Sequence, residues 1–368
     1  MDRAALQRLT VTAVSTIAAV ILAFIIGGIL LQATGHNPVI IYGDMFDYGT
    51  QGPQLIDAAK RAGPLMLSAC AVAIGFKMNL FNIGVEGQYR VAMLAAAVIG
   101  AAVTLPAPLH VALVLVVAMI AGALWAGIAA VLKVQRGVNE VISTIMLNAV
   151  AIGLTAWLFG SFFKNQVVDA SGRVSLEVRT KPLPTSAWLP DIITDAGGKL
   201  SSYFLIALVV CVLVWLVVFR STFGFQLRSS GLNPVAAQTA GIDSKKMIIR
   251  AMLISGALAG LVGMSSLLAE DHSYKPGLAT GLGFTGIAVA LLGRNHPAGI
   301  VLASFLFGFL QSASGILQLN DVPRSIVAII QGIVVLTVVI VNESSGRWYD
   351  KRTARGTSKA LQNDEVAA

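Results

Sequence analysis

LHVALVLVVAMIAGALWAGIAAVL, residues 109–132, runs for 24 residues without one formally charged side chain. A helix of that length reaches about 36 Å at 1.5 Å per residue, more than the roughly 30 Å of a bilayer's hydrocarbon core. Lys133 and Arg136 follow it, and after a short polar break the apolar pattern resumes over residues 141–163. Such a pair reads as two membrane-crossing helices joined by a basic turn. The rest of the chain has the same character. Apolar residues make up 56% of the 368, charged ones only 12%, and the mean hydropathy is +0.79. Soluble domains carry about a quarter charged residues, so this chain lacks the polar surface to cover a globule in water. Lipid is its expected solvent.

Working outward gives ten apolar segments: 9–31, 62–76, 88–105, 109–132, 141–163, 203–219, 248–269, 281–292, 298–319 and 323–341. Two of them, 62–76 and 281–292, are too short to cross alone, since a crossing helix needs about 17 residues or more. The first, preceded by Arg3 and Arg8, resembles a signal peptide, but its 23 residues exceed the usual apolar core and no small-residue cleavage site follows. It is expected to be a retained span. With ten spans and both termini on the cytoplasmic side, 17 Lys and Arg fall inside and 9 outside. Five of those 9 lie in one loop, 164–202. The excess of 26 Lys and Arg over 18 Asp and Glu therefore reads as topology, not as a nucleic-acid surface. The expected fold is all-α and membrane-integral, with about ten transmembrane helices, N-in and C-in. A transmembrane domain covers 1–343, with extracytoplasmic loops at 32–61 and 164–202 and a cytoplasmic loop at 220–247. The tail, 344–368, is polar and expected to be disordered. NEVISTI at 139–145 echoes NDVPRSI at 320–326, as an inverted internal repeat would.

Polar residues interrupt the apolar pattern at few places. KMNLFNIGVEGQ, residues 77–88, holds two glycines, two asparagines and an acid between apolar segments. Lys77 and Glu86 are costly at membrane depth unless paired or hydrated, so a packed, functional break is expected there. Glu86 has Lys77 behind it and Arg90 one helical turn ahead. A second break, GRNHP at 293–297, reads as an ordinary turn. Asn148, Gln311 and Gln331 lie inside spans, where amides more often tie helices together than bind ligand. His272 and His296 read as solvated loop residues, and His110 opens a span with no metal-ligand spacing. Cys70 and Cys211 read as buried apolar side chains rather than a disulfide or a metal site. Gly256 and Gly260 permit a close helix contact without naming the partner helix.

No phosphate-cradling G-x-x-x-x-G-K-[ST] occurs, and neither H-E-x-x-H nor G-x-S-x-G is present. The chain is not expected to be an enzyme or to bind a cofactor or metal. If it drives transport, the energy comes from another subunit. The loop GLNPVAAQTAGI, residues 231–242, offers a docking element for one. Asn233 caps a short helix with Pro234 at its first position, small Ala236 and Ala237 follow, and Gly241 closes it. A capped surface turn is the alternative reading.

Four motifs in order, FNIGVEGQ (81–88), GVNEVISTIMLN (137–148), GLNPVAAQTAGI (231–242) and GFTGIAVALLGRNHPAG (283–299), resemble the permease subunits of bacterial nucleoside-type ABC importers. These belong to the superfamily of ribose and branched-chain amino acid permeases, and the resemblance runs over roughly residues 9–341. It implies about ten helices in an inverted repeat, in the bacterial cytoplasmic (inner) membrane. It also implies a second permease subunit, paralogue or self, across one path. Its other partners are a cytoplasmic ABC ATPase that uses the ATP and an extracytoplasmic substrate-binding lipoprotein. By the same resemblance Gly231, Asn233, Pro234, Ala236, Ala237 and Gly241 form the coupling loop. Asn79, Asn82, Glu86, Gln88 and Asn148 are then expected at or beside the substrate pathway. Tyr89 and Arg90 depart from the small or apolar residues commoner after the signature. A ribose-type sugar permease is the alternative substrate reading, and an ion-coupled secondary transporter the alternative class.

Overall fold

The computed structural model describes residues 3–168, 174–195, 198–320, 322–323, 326–338 and 340–341. The expected tail at 344–368 lies outside these residues, as do Asp321, Arg324 and Ser325 of the internal echo. The chain divides into two compact units, Met1–Tyr48 with Ala313–Ala368, and Gly49–Ser312.

In the first unit, α1 (Arg3–Ala33) and α2 (Pro38–Gly49) meet at a break, where Val20–Ala33 and Pro38–Gly49 are bent by 118°. Tyr42 anchors the bend by donating its hydroxyl proton to the Phe24 carbonyl at 2.9 Å. The same unit contains the helix Ile326–Val338, α13 in chain order.

The second unit is built around α3 (Gly52–Lys77), whose residues from Ala62 to Gly75 are all buried. It is followed by α4 (Val85–Ala102), α5 (Ala107–Arg136), α6 (Glu140–Leu158, extended by a π turn at Phe159–Phe163) and α7 (Tyr203–Arg220). Then come α8 (Thr222–Leu232), α9 (Pro234–Thr239), α10 (Ser244–Leu261, with a π turn at Ser266–Glu270), α11 (Leu282–Leu292) and α12 (Pro297–Ala313). Between α6 and α7 the chain forms two antiparallel hairpins, β1 (Asn165–Val168) with β2 (Val174–Arg179), and β3 (Asp191–Asp195) with β4 (Gly198–Ser201).

Small residues set the packing. α10 lies against α5, where a Cβ on Gly122 would stand 2.2 Å from the Gly256 carbonyl oxygen and one on Gly260 would stand 2.1 Å from that of Ala118. Only glycine admits backbones this close, and the partner of the Gly256–Gly260 stripe is therefore α5. Outward from this contact, Leu124 on α5, Met146 on α6 and Val209 on α7 are exposed apolar side chains, as lipid-facing positions require. The thiols of Cys70 and Cys211 are free and buried, with Sγ atoms 3.6 Å apart across α3 and α7.

The expectation of ten transmembrane helices is corrected. Five helices among the described residues are long and apolar enough to cross a membrane, or six if the bent pair counts as one span. These are Ala107–Arg136, Glu140–Phe163, Tyr203–Arg220, Ser244–Glu270 and Pro297–Leu317. The reason is physical. An apolar run buried in a protein core reads the same as one buried in lipid. α3 carries Asp57, Lys60 and Arg61 before its apolar stretch, and α4 carries Glu86 and Arg90 within 18 residues. α11 has 11 residues, about 16 Å of helix, half a hydrocarbon core. The N-in, C-in orientation was counted on ten spans and falls with that count, and the inverted repeat, expected from the echo of 139–145 in 320–326, belonged to the same ten-helix arrangement and is not carried over. Within 32–61, which was expected to be a loop, α2 and the start of α3 are helical instead.

Candidate functional site

The break after α3 lies among buried polar residues, Asn82, Glu86, Gln88 and Asn148. α3 ends at Lys77, and Asn79 turns the chain with φ of 57°. Asn79 is exposed and joins no buried cluster, so the structure separates it from the other expected pathway residues. Lys77 does not reach Glu86. Its ammonium lies 5.4 Å from the centre of the Phe219 ring, as does the Arg228 guanidinium carbon.

Asn82, Gln88 and Asn148 come together. The Asn82 side chain donates to Gln88 Oε1 at 3.0 Å and to Ser255 Oγ at 2.8 Å. Its carbonyl oxygen accepts from Gly84 N at 3.0 Å and from Gln88 Nε2 at 2.9 Å. Ser255 passes its own proton to the Ala71 carbonyl at 2.6 Å, which ties α10 to α3. From α6, Asn148 accepts from Gly87 N at 2.8 Å and donates to the Ile83 carbonyl at 2.9 Å. Free N–H groups at the start of α4 are thus satisfied by side chains, that of Gly87 by Asn148 from α6 and that of Gly84 by Asn82 from the break itself. Buried amides with every group bonded fix one arrangement and penalise any other.

Glu86, only 4% exposed, forms the second half of the network. Five donor atoms lie within hydrogen-bond distance of its carboxylate: Tyr89 OH at 2.7 Å, Arg90 Nε at 3.1 Å and Nη2 at 2.8 Å, Gly281 N at 3.0 Å and Gly283 N at 3.0 Å. Of the two partners weighed from sequence, Arg90 is the one in contact. The last two donors belong to the start of α11, so Glu86 caps that helix from another element, where the N-terminal partial charge favours a carboxylate. A Cβ on Gly283 would stand 2.5 Å from Glu86 N, so only glycine lets α11 approach this closely. Tyr89 OH also lies 2.6 Å from the Ala279 carbonyl, and its single proton faces two acceptors. Ala279 itself has a left-handed φ of 50°, a conformation this clasp holds in place.

Glu140 secures the break from the other side. It pairs with Lys133 across the α5–α6 turn and accepts from Phe81 N at 3.4 Å. Sequence reasoning missed Glu140, Lys133, Ser255, Tyr89, Gly281 and Gly283 as members of this network. Glu140 stands inside a quoted motif, and a lone serine beside Gly256 was a signal that could have found Ser255. The network's amide and carboxylate groups are bonded to one another and to backbone groups. What it does is hold α4 and the short α11 in fixed register.

The 220–247 loop forms α8 and α9, with Asn233 accepting from Val235 N at 3.1 Å and Ala236 N at 3.0 Å. Pro234 is the first residue of α9, and Gly241 closes the turn with φ of 82°. Gly231 lies against the end of α3, where a Cβ would stand 2.4 Å from the Lys77 carbonyl oxygen. Ala237 is buried, whereas Ala236, Leu232 and Val235 are exposed. Among the described residues, no group of three or more His, Cys, Asp or Glu is placed to hold a metal ion.

Comparison with known proteins identifies the scaffold that carries this network. The sequence profile of the family described as "Branched-chain amino acid transport system / permease component" matches residues 54–339. The guanosine ABC transporter permease protein NupP of Bacillus subtilis is 36% identical over 330 residues, 87% of this chain and 91% of that one. The nucleoside ABC transporter permease protein NupB of Lactococcus lactis subsp. cremoris is 30% identical, covering 88% and 89% of the two chains. The glucose ABC transporter permease protein TsgB13 of Haloferax volcanii is 32% identical, covering 87% and 85%. The chain belongs to this permease family and is a multi-pass membrane component of an ABC transporter.

Proposed function

We propose that this chain is the permease subunit through which an ATP-driven importer takes up nucleosides across a bacterial cytoplasmic membrane. The observation that carries the reading is the likeness to a guanosine permease, 36% identical over nearly the whole of both chains. A sugar substrate is the second reading, favoured by the likeness to a glucose permease at 32%. Likeness to ABC transporter permeases favours a system that takes its energy from a separate ABC ATPase over the ion-coupled alternative. The other partners proposed are a second permease subunit and an extracytoplasmic lipoprotein that delivers ligand.

In this reading residues 1–343 form the permease, 164–202 faces the extracytoplasmic side with part of 32–61, and 220–247 meets the ATPase. Exposed Leu232, Val235 and Ala236 supply an apolar contact, and capped α9 supplies a rigid one. Asn82, Glu86, Gln88 and Asn148 brace the helices beside the pathway. The α4 and α11 segments they join are then the elements that must stay in register while the transporter cycles.

The test is uptake by a strain lacking its own nucleoside and glucose carriers, supplied with this chain and the subunits encoded beside it. Labelled guanosine, uridine and glucose are compared with and without ATP depletion. ATP-dependent nucleoside uptake is the expected result. Glucose uptake alone would move the assignment to the sugar branch.

A further inference from the structure

A cavity of about 440 Å³ lies away from the α4–α11 network, lined by Lys60, Trp188, Asp191, Lys199, Glu270 and His272 among others. Glu270 closes the apolar run Ser244–Glu270, whose 27 residues extend about 40 Å from the end of the 220–247 loop. The cavity is therefore at the opposite end of α10 from the proposed ATPase contact.

Its aromatic wall is held rigidly. Thr180 N donates to the Tyr274 carbonyl at 2.9 Å, Leu183 N to that of His272 at 2.8 Å, and Leu189 N to that of Leu268 at 2.9 Å. These bonds fasten the 180–189 segment to 268–274. Trp188 and His272 stack face to face, with centroids 3.8 Å apart and planes 9° from parallel. His272 nevertheless has a left-handed φ of 51°, and its Nδ1 is buried without a hydrogen-bond partner. Backbone strain and an orphaned polar atom on one cavity-lining residue are costs that stability alone does not explain.

The polar wall offers both signs of charge. Lys60 lies 3.5 Å from Glu270, and Lys199 lies 3.8 Å from Asp191. Ser265 Oγ donates to Glu270 Oε1 at 3.2 Å. These four charged side chains sum to zero, so the site does not select an anion. It presents carboxylates that accept from hydroxyls, ammonium groups that donate, and Trp188, a residue 42% exposed with one ring face covered by His272 and the other left for a solute. A flat, neutral, hydroxyl-bearing solute matches that set, and stacking on an aromatic ring tolerates any base.

We infer that this cavity is a receiving subsite for an uncharged nucleoside, with the base stacked on Trp188 and the sugar hydroxyls bonded by Glu270 and Asp191. The inference rests on the nucleoside reading above and adds a place on the permease itself where the solute is held. The test uses the assembled permease–ATPase complex without its lipoprotein. Binding of tritiated guanosine is measured by equilibrium dialysis, and 8-azidoguanosine is used to photolabel the site.

Saturable binding is expected, with label in peptides covering 183–191 or 265–274, displaced by guanosine and not by glucose. Trp188→Ala weakens binding by about tenfold or more, whereas Trp188→Phe stays within about threefold, because the ring face carries the contact. Asp191→Asn is the second variant, in case Trp188→Ala unseats the segment, and it weakens binding by about threefold or more. Absence of saturable binding, or binding indifferent to Trp188→Ala and Asp191→Asn with label elsewhere, overturns the subsite. Nucleoside uptake persisting alongside that result leaves the transport reading standing. Uptake of glucose without nucleosides overturns the transport reading, and the nucleoside assignment of the cavity with it.

Discussion

Glu86→Gln removes one charge from a buried carboxylate that five donors address. The amide oxygen of glutamine still accepts from two or three of them, but its NH2 group turns a donor toward donors. Arg90, whose side chain is 14% exposed, loses its partner in the ion pair at 2.8 Å. Breaking a buried pair by removing one member costs about 3–5 kcal/mol, chiefly because the remaining charge stays desolvated. A destabilisation of about 3 kcal/mol is therefore expected, measured by denaturant unfolding of the purified complex in detergent. The Glu86→Gln/Arg90→Met double variant removes the stranded charge and recovers about 1 kcal/mol or more of the summed loss. Uptake falls in Glu86→Gln because α11 loses the cap that fixes its start, with no chemical step removed. Glu86→Cys, on a Cys70→Ala, Cys211→Ala background, reacts slowly with a membrane-impermeant thiol reagent. Strictly additive variants, unimpaired uptake in Glu86→Gln and fast labelling of Glu86→Cys together would refute the clasp.

Three further outcomes follow from the geometry. Ala236→Glu places a charge on the exposed face of α9 and is expected to abolish ATP-coupled uptake while leaving the chain folded, whereas Ala237→Glu, at a position 3% exposed, lowers the amount of folded chain in the membrane. Quantifying membrane-inserted protein beside uptake separates the two, and equal loss of folded chain in both would remove the docking role from Ala236. Gly260→Leu drives a side chain into the Ala118 carbonyl and is expected to cost about 1–3 kcal/mol or more, read as lost thermal stability in detergent; wild-type stability would disprove the α5–α10 contact. Burial holds the His272 imidazole below its usual value, against the smaller opposing pull of Asp271 and Asp191. The neutral ring is thus the native form, so its contribution to stability is present above pH of about 6.5 and is lost as pH falls through the depressed folded value. An NMR titration midpoint for His272 above 6.5 would contradict this.

The sequence by itself determined that the chain lives in lipid, because 12% charge over 368 residues leaves no other solvent for its apolar surface. Linked motifs identified the permease family, and the cap at Asn233 could be placed since it depends only on neighbours in the chain. Polarity at Glu86, beside an expected Arg90 partner, was likewise local: the pair is one helical turn apart. Span count was not legible. Residues 62–76 are apolar because α3 is buried inside protein, and one-dimensional hydropathy does not distinguish that environment from hydrocarbon. Nor could the sequence choose α5 as the partner of Gly256 and Gly260, or bring Asn148 and Ser255 to the break at 81–88. Those contacts join residues 61 to 173 positions apart. The clasp on α11 reaches further, from Glu86 to Gly283 across 197 positions. Its donors are backbone N–H groups, which every residue but proline carries and no side-chain pattern announces. Only the tertiary structure decides which of them a buried carboxylate will find.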